Sequence, residues 1–190
     1  MNQSKITVRY AKALFLTSKE KGLLEKVYSD VFSLYEIFRT VKEINLLYND
    51  PVIKTSQKIK ITERVFSNSV NKLVFDFLKL IITNKRESHI LDIIRNFIDL
   101  YKKEKNIKTA YLSTSGIVDQ EIIKELTENI KKALNSEIEL HHKTDEEIIG
   151  GFVLKIEGSQ YDASVATRLK ILKRELINTT FETKLPKIEN

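Results

Sequence analysis

Three histidines, one run of acids and one glycine pair are the places in this 190-residue chain where residue type and spacing invite chemistry. His141 and His142 are metal-ligand types, but neighbours on a strand point to opposite faces, so a single ion does not reach both. His89 lies far upstream, and no acidic pair is spaced to complete a ligand set. Asp145, Glu146 and Glu147 supply consecutive carboxylates without the alternation of a calcium loop, which reads as a solvated turn. Gly150-Gly151 is the one stretch suited to cradling a phosphate. Such a loop follows a strand and opens a helix, whereas this pair precedes the alternating residues Phe152–Ile156, so a tight turn or close backbone approach is expected. Cysteine is absent, which removes thiolate nucleophiles, disulfides and thiolate zinc sites together. No Gly-x-x-x-x-Gly-Lys-Ser/Thr, His-Glu-x-x-His or Gly-x-Ser-x-Gly motif occurs. The sequence offers no catalytic residue, no metal set and no cofactor site.

The elements that would carry a binding surface are mainly helices. Five Gly and two Pro leave few turns for a sandwich or barrel of short strands. Ser4 is a candidate cap for a helix bearing Ile6, Tyr10, Ala13 and Leu14, with Gly22 as its stop. Val27, Val31, Leu34, Phe38 and Val41 mark a second helix, and Asp50-Pro51 a break. Ser56 opens a helix through Phe66; Leu73, Val74, Phe77, Leu78 and Ile81 mark another. Ile90, Ile93, Ile94, Phe97, Ile98 and Tyr101 form the stripe of the last helix before the charged run Lys102-Lys103-Glu104-Lys105. Short connections predict antiparallel packing as a bundle over residues 1–105. Beyond it the period changes. Ile107–Thr114 reads as a strand, Asp119 caps a helix from Ile122 to Leu134, and two alternating strands follow around Ile138–His142 and Phe152–Ile156. Asp162 or Ser164 starts a final helix with Val165, Leu169, Leu172 and Leu176. The expected architecture is mainly α: a helical bundle, a small α+β domain over 106–178, and a tail over 179–190.

Composition narrows the partners. With 42% hydrophobic and 31% charged residues the chain can bury a core. No apolar run nears the roughly 18–20 residues of a membrane span. Lys5, Arg9, Lys12 and Lys19 interrupt the first twenty residues, so no secretory signal is expected. Net charge is +6. Residues 1–105 hold 20 basic and 12 acidic side chains, net +8, and the remainder 12 and 14, net −2. An anionic partner of the first part is one meaning of that asymmetry; solvated helix faces are the other. Without a dense basic stripe interleaved with aromatics, no nucleic-acid partner is expected.

Several stretches together resemble a known family. Arg9-Tyr10-Ala11-Lys12-Ala13-Leu14-Phe15 looks like the opening motif of the delta subunit of F-type ATP synthases, the oligomycin-sensitivity-conferring subunit of mitochondria. The likeness continues through Asp50-Pro51, Phe77-Leu78, Asn84-Lys85-Arg86 and Ile90-Leu91. It is most specific at Ile149-Gly150-Gly151-Phe152, Tyr161-Asp162-Ala163-Ser164-Val165, Arg168-Leu169 and Leu172. It spans residues 6 to 177 with order and spacing intact. Two turn positions depart from the family: Asp145-Glu146-Glu147 stands where Asp-Pro-Ser is common, and Ala163 where Gly is usual.

The resemblance implies six helices in the bundle and a non-catalytic stator subunit, one copy per complex, tying the catalytic head to the peripheral stalk. It implies that the bundle grips the N-terminal segment of an alpha subunit while the second domain meets the b subunits. It implies a groove between the first and fifth helices, whose candidates here are Tyr10, Ala13 and Leu14 on one wall and Val74, Phe77, Leu78 and Ile81 on the other. Gly150, Gly151, Asp162 and Ser164 are the candidate turn and cap of the second domain. The expected location is the cytoplasmic side of a bacterial inner membrane, reached through the complex alone, because the first helix begins too near Met1 for a transit peptide. The stromal side of a plastid thylakoid is the alternative.

Overall fold

In α1, Lys5–Glu20, one face carries the buried residues Thr7, Ala11, Leu14, Phe15 and Ser18, a stripe at helical spacing. The helix ends because Gly22 takes φ +64°, which lets its N–H reach the Lys19 carbonyl and the Leu23 N–H reach that of Ser18. The computed structural model describes residues 5–67 and 69–181; the expected cap Ser4 lies outside them.

Five more helices complete the first unit: α2 (Leu24–Thr40), α3 (Lys42–Asn49), α4 (Thr55–Phe66), α5 (Lys72–Thr83) and α6 (Ile90–Glu104), with a 3₁₀ turn at Glu87–His89 before the last. Helix α6 is its axis. Its Ile90, Ile93, Ile94, Phe97, Ile98 and Tyr101 are all buried, and it packs on both α1 and α2. Phe97 meets Phe15 edge-on at 6.3 Å, and the buried Asn96 amide donates to Thr7 Oγ1 at 3.1 Å. Two boundaries differ from expectation. Val41 is extended and ends α2, so residues 42–49 form their own short helix. Only Tyr48 of α3 is buried, too sparse a stripe to register as periodic. Helix α4 starts at Thr55 without a side-chain cap, one residue before Ser56.

The chain divides into two compact units between Lys105 and Asn106. The second holds β1 (Ile107–Thr114), α7 (Gln120–Leu134), β2 (Glu137–Thr144), β3 (Phe152–Ile156), β4 (Ser159–Asp162) and α8 (Val165–Phe181). Its sheet runs β2-β1-β3-β4. Helix α7 is the crossover that makes β1 and β2 parallel; β3 and β4 add antiparallel. Ala110, Leu112, Ile138, Leu154 and Ile156 meet Ile130 of α7 in a small core. Asp119 precedes α7 but makes no side-chain cap bond. Strand β4 is absent from the sequence expectation: all four of its residues are exposed, so no apolar alternation announces it. Its hairpin is set by Glu157 (φ +48°) and Gly158 (φ +87°), the positive-φ pair of a tight two-residue turn. Helix α8 enters the first residues of the stretch expected as a tail from 179. Helix α8 runs on to Phe181 because no Gly or Pro interrupts residues 165–181; residues 182–190 lie outside the described ones.

Candidate partner-binding surfaces

On the bundle, α1 and α5 part far enough to leave a groove of about 580 Å³. Its floor is apolar. Tyr10, Ala13, Leu14 and Thr17 come from α1, and Leu73, Phe77 and Leu80 from α5, with Arg9 and Asp76 at the rims. The Tyr10 ring stands 6.3 Å from that of Phe77, and its hydroxyl accepts from the Asn84 amide at 3.1 Å, which ties α1 to the end of α5. Ala13 is exposed, a small side chain on a wall where a larger one would fill the space.

Four of the seven residues expected in this groove line it: Tyr10, Ala13, Leu14 and Phe77. The other three do not. Val74, Leu78 and Ile81 are 1%, 2% and 1% exposed and pack inward with Val31, Leu34 and Phe97. An inward stripe and a groove wall both select apolar residues, so composition alone could not separate them. The sequence reading missed Leu73 and Leu80, for which a signal existed. Helix α5 carries apolar residues over more of its circumference than a core face needs, and Leu80 is half exposed. The rim charges and Thr17 carried no such signal.

Asn71 positions α5. Its side chain accepts from Leu73 N–H at 2.9 Å as an N-cap, and its own N–H donates to Asp30 of α2 at 2.6 Å. At the other end Lys85 adopts φ +53°, and the Lys85 and Arg86 N–H groups close on the Ile82 and Ile81 carbonyls.

In the second unit the structure brings Gly150, Gly151, Asp162 and Ser164 together. Gly151 has φ +82°, and a Cβ there would meet the Ala163 carbonyl oxygen at 2.4 Å. The closeness is used: Gly150 O accepts from Val165 N–H and Phe152 O from Ala163 N–H, both at 2.9 Å. Ser164 Oγ accepts from the Thr167 N–H at 3.3 Å as the N-cap of α8. Asp162 takes the Ser164 N–H and the Thr167 hydroxyl, each at 2.9 Å; these bonds, Ser164's foremost, hold its carboxyl below the usual range. Every side chain from Arg168 to Ile177 is exposed, including Leu169, Leu172 and Leu176 at 60%, 54% and 68%. With Val165 these follow a 4-3-4 spacing, the seam of a helix that packs on another helix.

The histidines of the second unit stand apart from this cap. His141 stacks on Tyr111 at 5.3 Å on one sheet face, while Nε2 of the next residue, His142, is 2.8 Å from Thr114 Oγ1. Among the described residues no three His, Asp or Glu side chains converge as metal ligands, and no helix is long and apolar enough to cross a membrane.

Comparison with known proteins extends over both units. The family model for the ATP synthase delta (OSCP) subunit matches residues 6–176. The ATP synthase subunit delta of Phocaeicola vulgatus is 31% identical over 173 residues, covering 90% of this chain and 94% of that protein. That of Parabacteroides distasonis is 32% identical over 177 residues, covering 93% and 98%. Among solved structures, a chain of the Toxoplasma gondii mitochondrial ATP synthase hexamer superposes with a TM-score of 0.73 at 25% identity, covering 92% of this chain and 98% of that one. The chain belongs to the ATP synthase delta (OSCP) family.

Proposed function

We propose that this chain is a non-catalytic stator subunit of an F-type ATP synthase, holding the alpha/beta head to the peripheral b stalk while the rotor turns, so that proton-driven rotation is coupled to ATP synthesis. The observation that carries this reading is an exposed apolar surface on each of two separate units: the α1/α5 groove and the seam of α8. A tether needs two grips and no nucleophile. The groove suits an amphipathic helix buried along i, i+3, i+4 and i+7, and the N-terminal segment of an alpha subunit is the assigned occupant. The 4-3-4 seam of α8 suits a long helix of the b subunits, packing as a coiled coil does. One copy serves each complex. Membrane attachment runs through the complex, on the cytoplasmic side in a bacterium, in keeping with its bacterial relatives.

Membranes of the source cell test this directly. The affinity-tagged full chain, recovered under mild detergent, is expected to bring down subunits identified by mass as alpha and b in fixed ratio. Membranes lacking the chain are expected to keep ATP hydrolysis while losing ATP-driven proton pumping. Recovery without alpha and b, or intact pumping in its absence, would overturn the assignment. Tight, stoichiometric, magnesium-dependent nucleotide binding by the isolated chain would overturn its non-catalytic part.

A further inference from the structure

Helix α8 carries its charges unevenly. Arg168, Lys170, Lys173 and Arg174 are all exposed, and the one acid between Val165 and Ile177 is Glu175. No acid stands three or four positions from any of these cations, the spacing at which an exposed helix pairs its charges. In α7, by contrast, Lys131 meets Glu128 three positions before it. Lys170 has cations at those positions instead, Lys173 and Arg174, which weakens an uncovered helix. None of the four takes part in an ion pair among the described residues. The macrodipole does not account for them, because it acts within the last turn, which holds no base. Asp145, Glu147 and Asp162 lie toward the start of the helix, lining a cleft with Lys155 and Ala166. Lys170 and Lys173 stand one and two turns beyond Ala166. At about 100° per residue, Lys173 borders the seam of Val165, Leu169, Leu172 and Leu176 with Lys170 behind it. Arg168 and Glu175 border the other side. One flank of the seam is therefore basic and the other mixed.

We propose that the helix seated on the α8 seam is acidic, bringing carboxylates to Lys170 and Lys173. This rests on the reading of the seam as the contact for a stalk helix. An apolar seam alone takes any helix with a matching stripe, and the charges beside it choose among them. Carboxylates at this flank answer the like-charge contacts that α8 bears alone, whereas a basic partner adds further cations to the same stretch. The opposite flank, Arg168 with Glu175, is neutral in sum, so the preference arises on the Lys170 and Lys173 side. It is a preference of charge and not of direction: a helix with carboxylates on both sides of its stripe meets Lys170 and Lys173 whichever way it runs.

Two synthetic peptides of about 20 residues test the proposal. They share one leucine stripe at alternating spacings of three and four, and carry either Glu or Lys at every position flanking it, so that like charges keep each monomeric. Both are titrated against the full chain, a Lys170→Glu/Lys173→Glu variant and a Leu169→Gln/Leu172→Gln variant. All four positions are exposed, and melting temperatures are compared first. Because the groove of the first unit also suits an amphipathic helix, binding is assigned to α8 where the Leu169→Gln/Leu172→Gln variant loses it. Each exposed charge contributes a few-fold at most. The full chain is therefore expected to favour the Glu peptide by about tenfold at low salt, Lys170→Glu/Lys173→Glu to favour the Lys peptide, and both preferences to shrink by 0.5 M salt. Equal binding of the two peptides, or a preference that survives the charge reversal, overturns the acidic partner and leaves the seam reading standing. If neither peptide binds, or if the Leu169→Gln/Leu172→Gln variant binds them unchanged, the seam reading fails and the proposal with it.

Discussion

Ala13 and Phe77 lie on opposite walls of the groove and answer to substitution differently. Ala13 faces solvent, so Ala13→Asp is expected to leave the melting temperature within a few degrees. It sets an unpaired charge against an apolar helix, which should cost about 2–5 kcal/mol of binding, roughly 30- to 4,000-fold in affinity for an alpha N-terminal peptide. Titration beside thermal unfolding checks both halves of the statement. Phe77 is 9% exposed, so Phe77→Ala should lower stability by up to about 3–5 kcal/mol besides weakening the peptide. In the second unit, Gly151→Ala drives a Cβ into the Ala163 carbonyl at positive φ and is expected to destabilise by about 2 kcal/mol or more. Gly116, with open space around its missing Cβ, provides the control: Gly116→Ala should stay within about 0.5 kcal/mol in urea unfolding. Of these residues, Ala13 was legible because a small side chain among large ones invites close approach. Val74, Leu78 and Ile81 were misplaced because an apolar residue gives no sign of whether protein or partner will cover it.

Two polar clusters fasten elements of the bundle to one another. Lys58 of α4 is buried, donating to the Tyr48 carbonyl and Glu87 Oε1, each at 2.6 Å, so α3, α4 and the 3₁₀ turn meet on one ammonium. Tyr48 adds a hydroxyl contact with Thr62 at 2.6 Å. Lys58→Ala strands the Glu87 carboxylate and is expected to cost about 3–5 kcal/mol, whereas Lys58→Met with Glu87→Leu should recover most of it; a double-mutant cycle in urea measures the difference. At the other end of the bundle Tyr101 stacks on Tyr28 at 3.7 Å and donates to Glu25, which also pairs with Lys105. Burial, seconded by Glu25, pushes the Tyr101 phenol up to about 12, and the Lys105 and Tyr101 bonds hold Glu25 below its usual value. The signs follow by linkage. Tyr101 contributes stability that is whole below pH 10 and lost as pH rises toward 12. Glu25 contributes stability that is present above the ordinary carboxylate range and lost as pH falls through its lowered value. The stability difference between the natural chain and Tyr101→Phe, read from denaturant midpoints, is expected to be level from about pH 5 to 9 and to shrink on both sides. Long stripes such as that of α6 were legible in the sequence, since periodicity needs only repetition. Helix α3 and strand β4 were not: one buried residue and none, respectively, leave no period to read, and tertiary bonds such as those of Tyr48 hold α3 in place.

At the scale of the whole molecule, Lys105 and Asn106 alone separate α6 from β1. Each is fastened to its own unit, Lys105 through Glu25, and Asn106 through the Asn135 carbonyl, the Ser136 hydroxyl and the Glu137 N–H. Separate hydrophobic cores lead us to expect that trypsin cuts first at Lys102, Lys103 or Lys105 and leaves a stable helical fragment of about 100 residues, a size typical of an independent domain. Loss of both units at the first cut would refute that independence; mass spectrometry and circular dichroism of the digest decide it. The change of period after residue 105 made the two architectures legible, whereas the fixing of the link by side-chain bonds across 29 and 30 positions had no local signature. The pairing of the first helix with the sixth has a further consequence, for the time before the chain is finished. On the ribosome, at about 5–20 residues per second, the last residue of α1 is made some 4–17 seconds before Glu104, which pairs with Lys19, and α1 is made well before Phe97 arrives to cover Phe15. Through that interval its apolar stripe is bare, and until Thr83 is made α5 has yet to supply the opposite wall. A partner helix therefore finds no groove on a nascent chain, and assembly waits for the bundle to close.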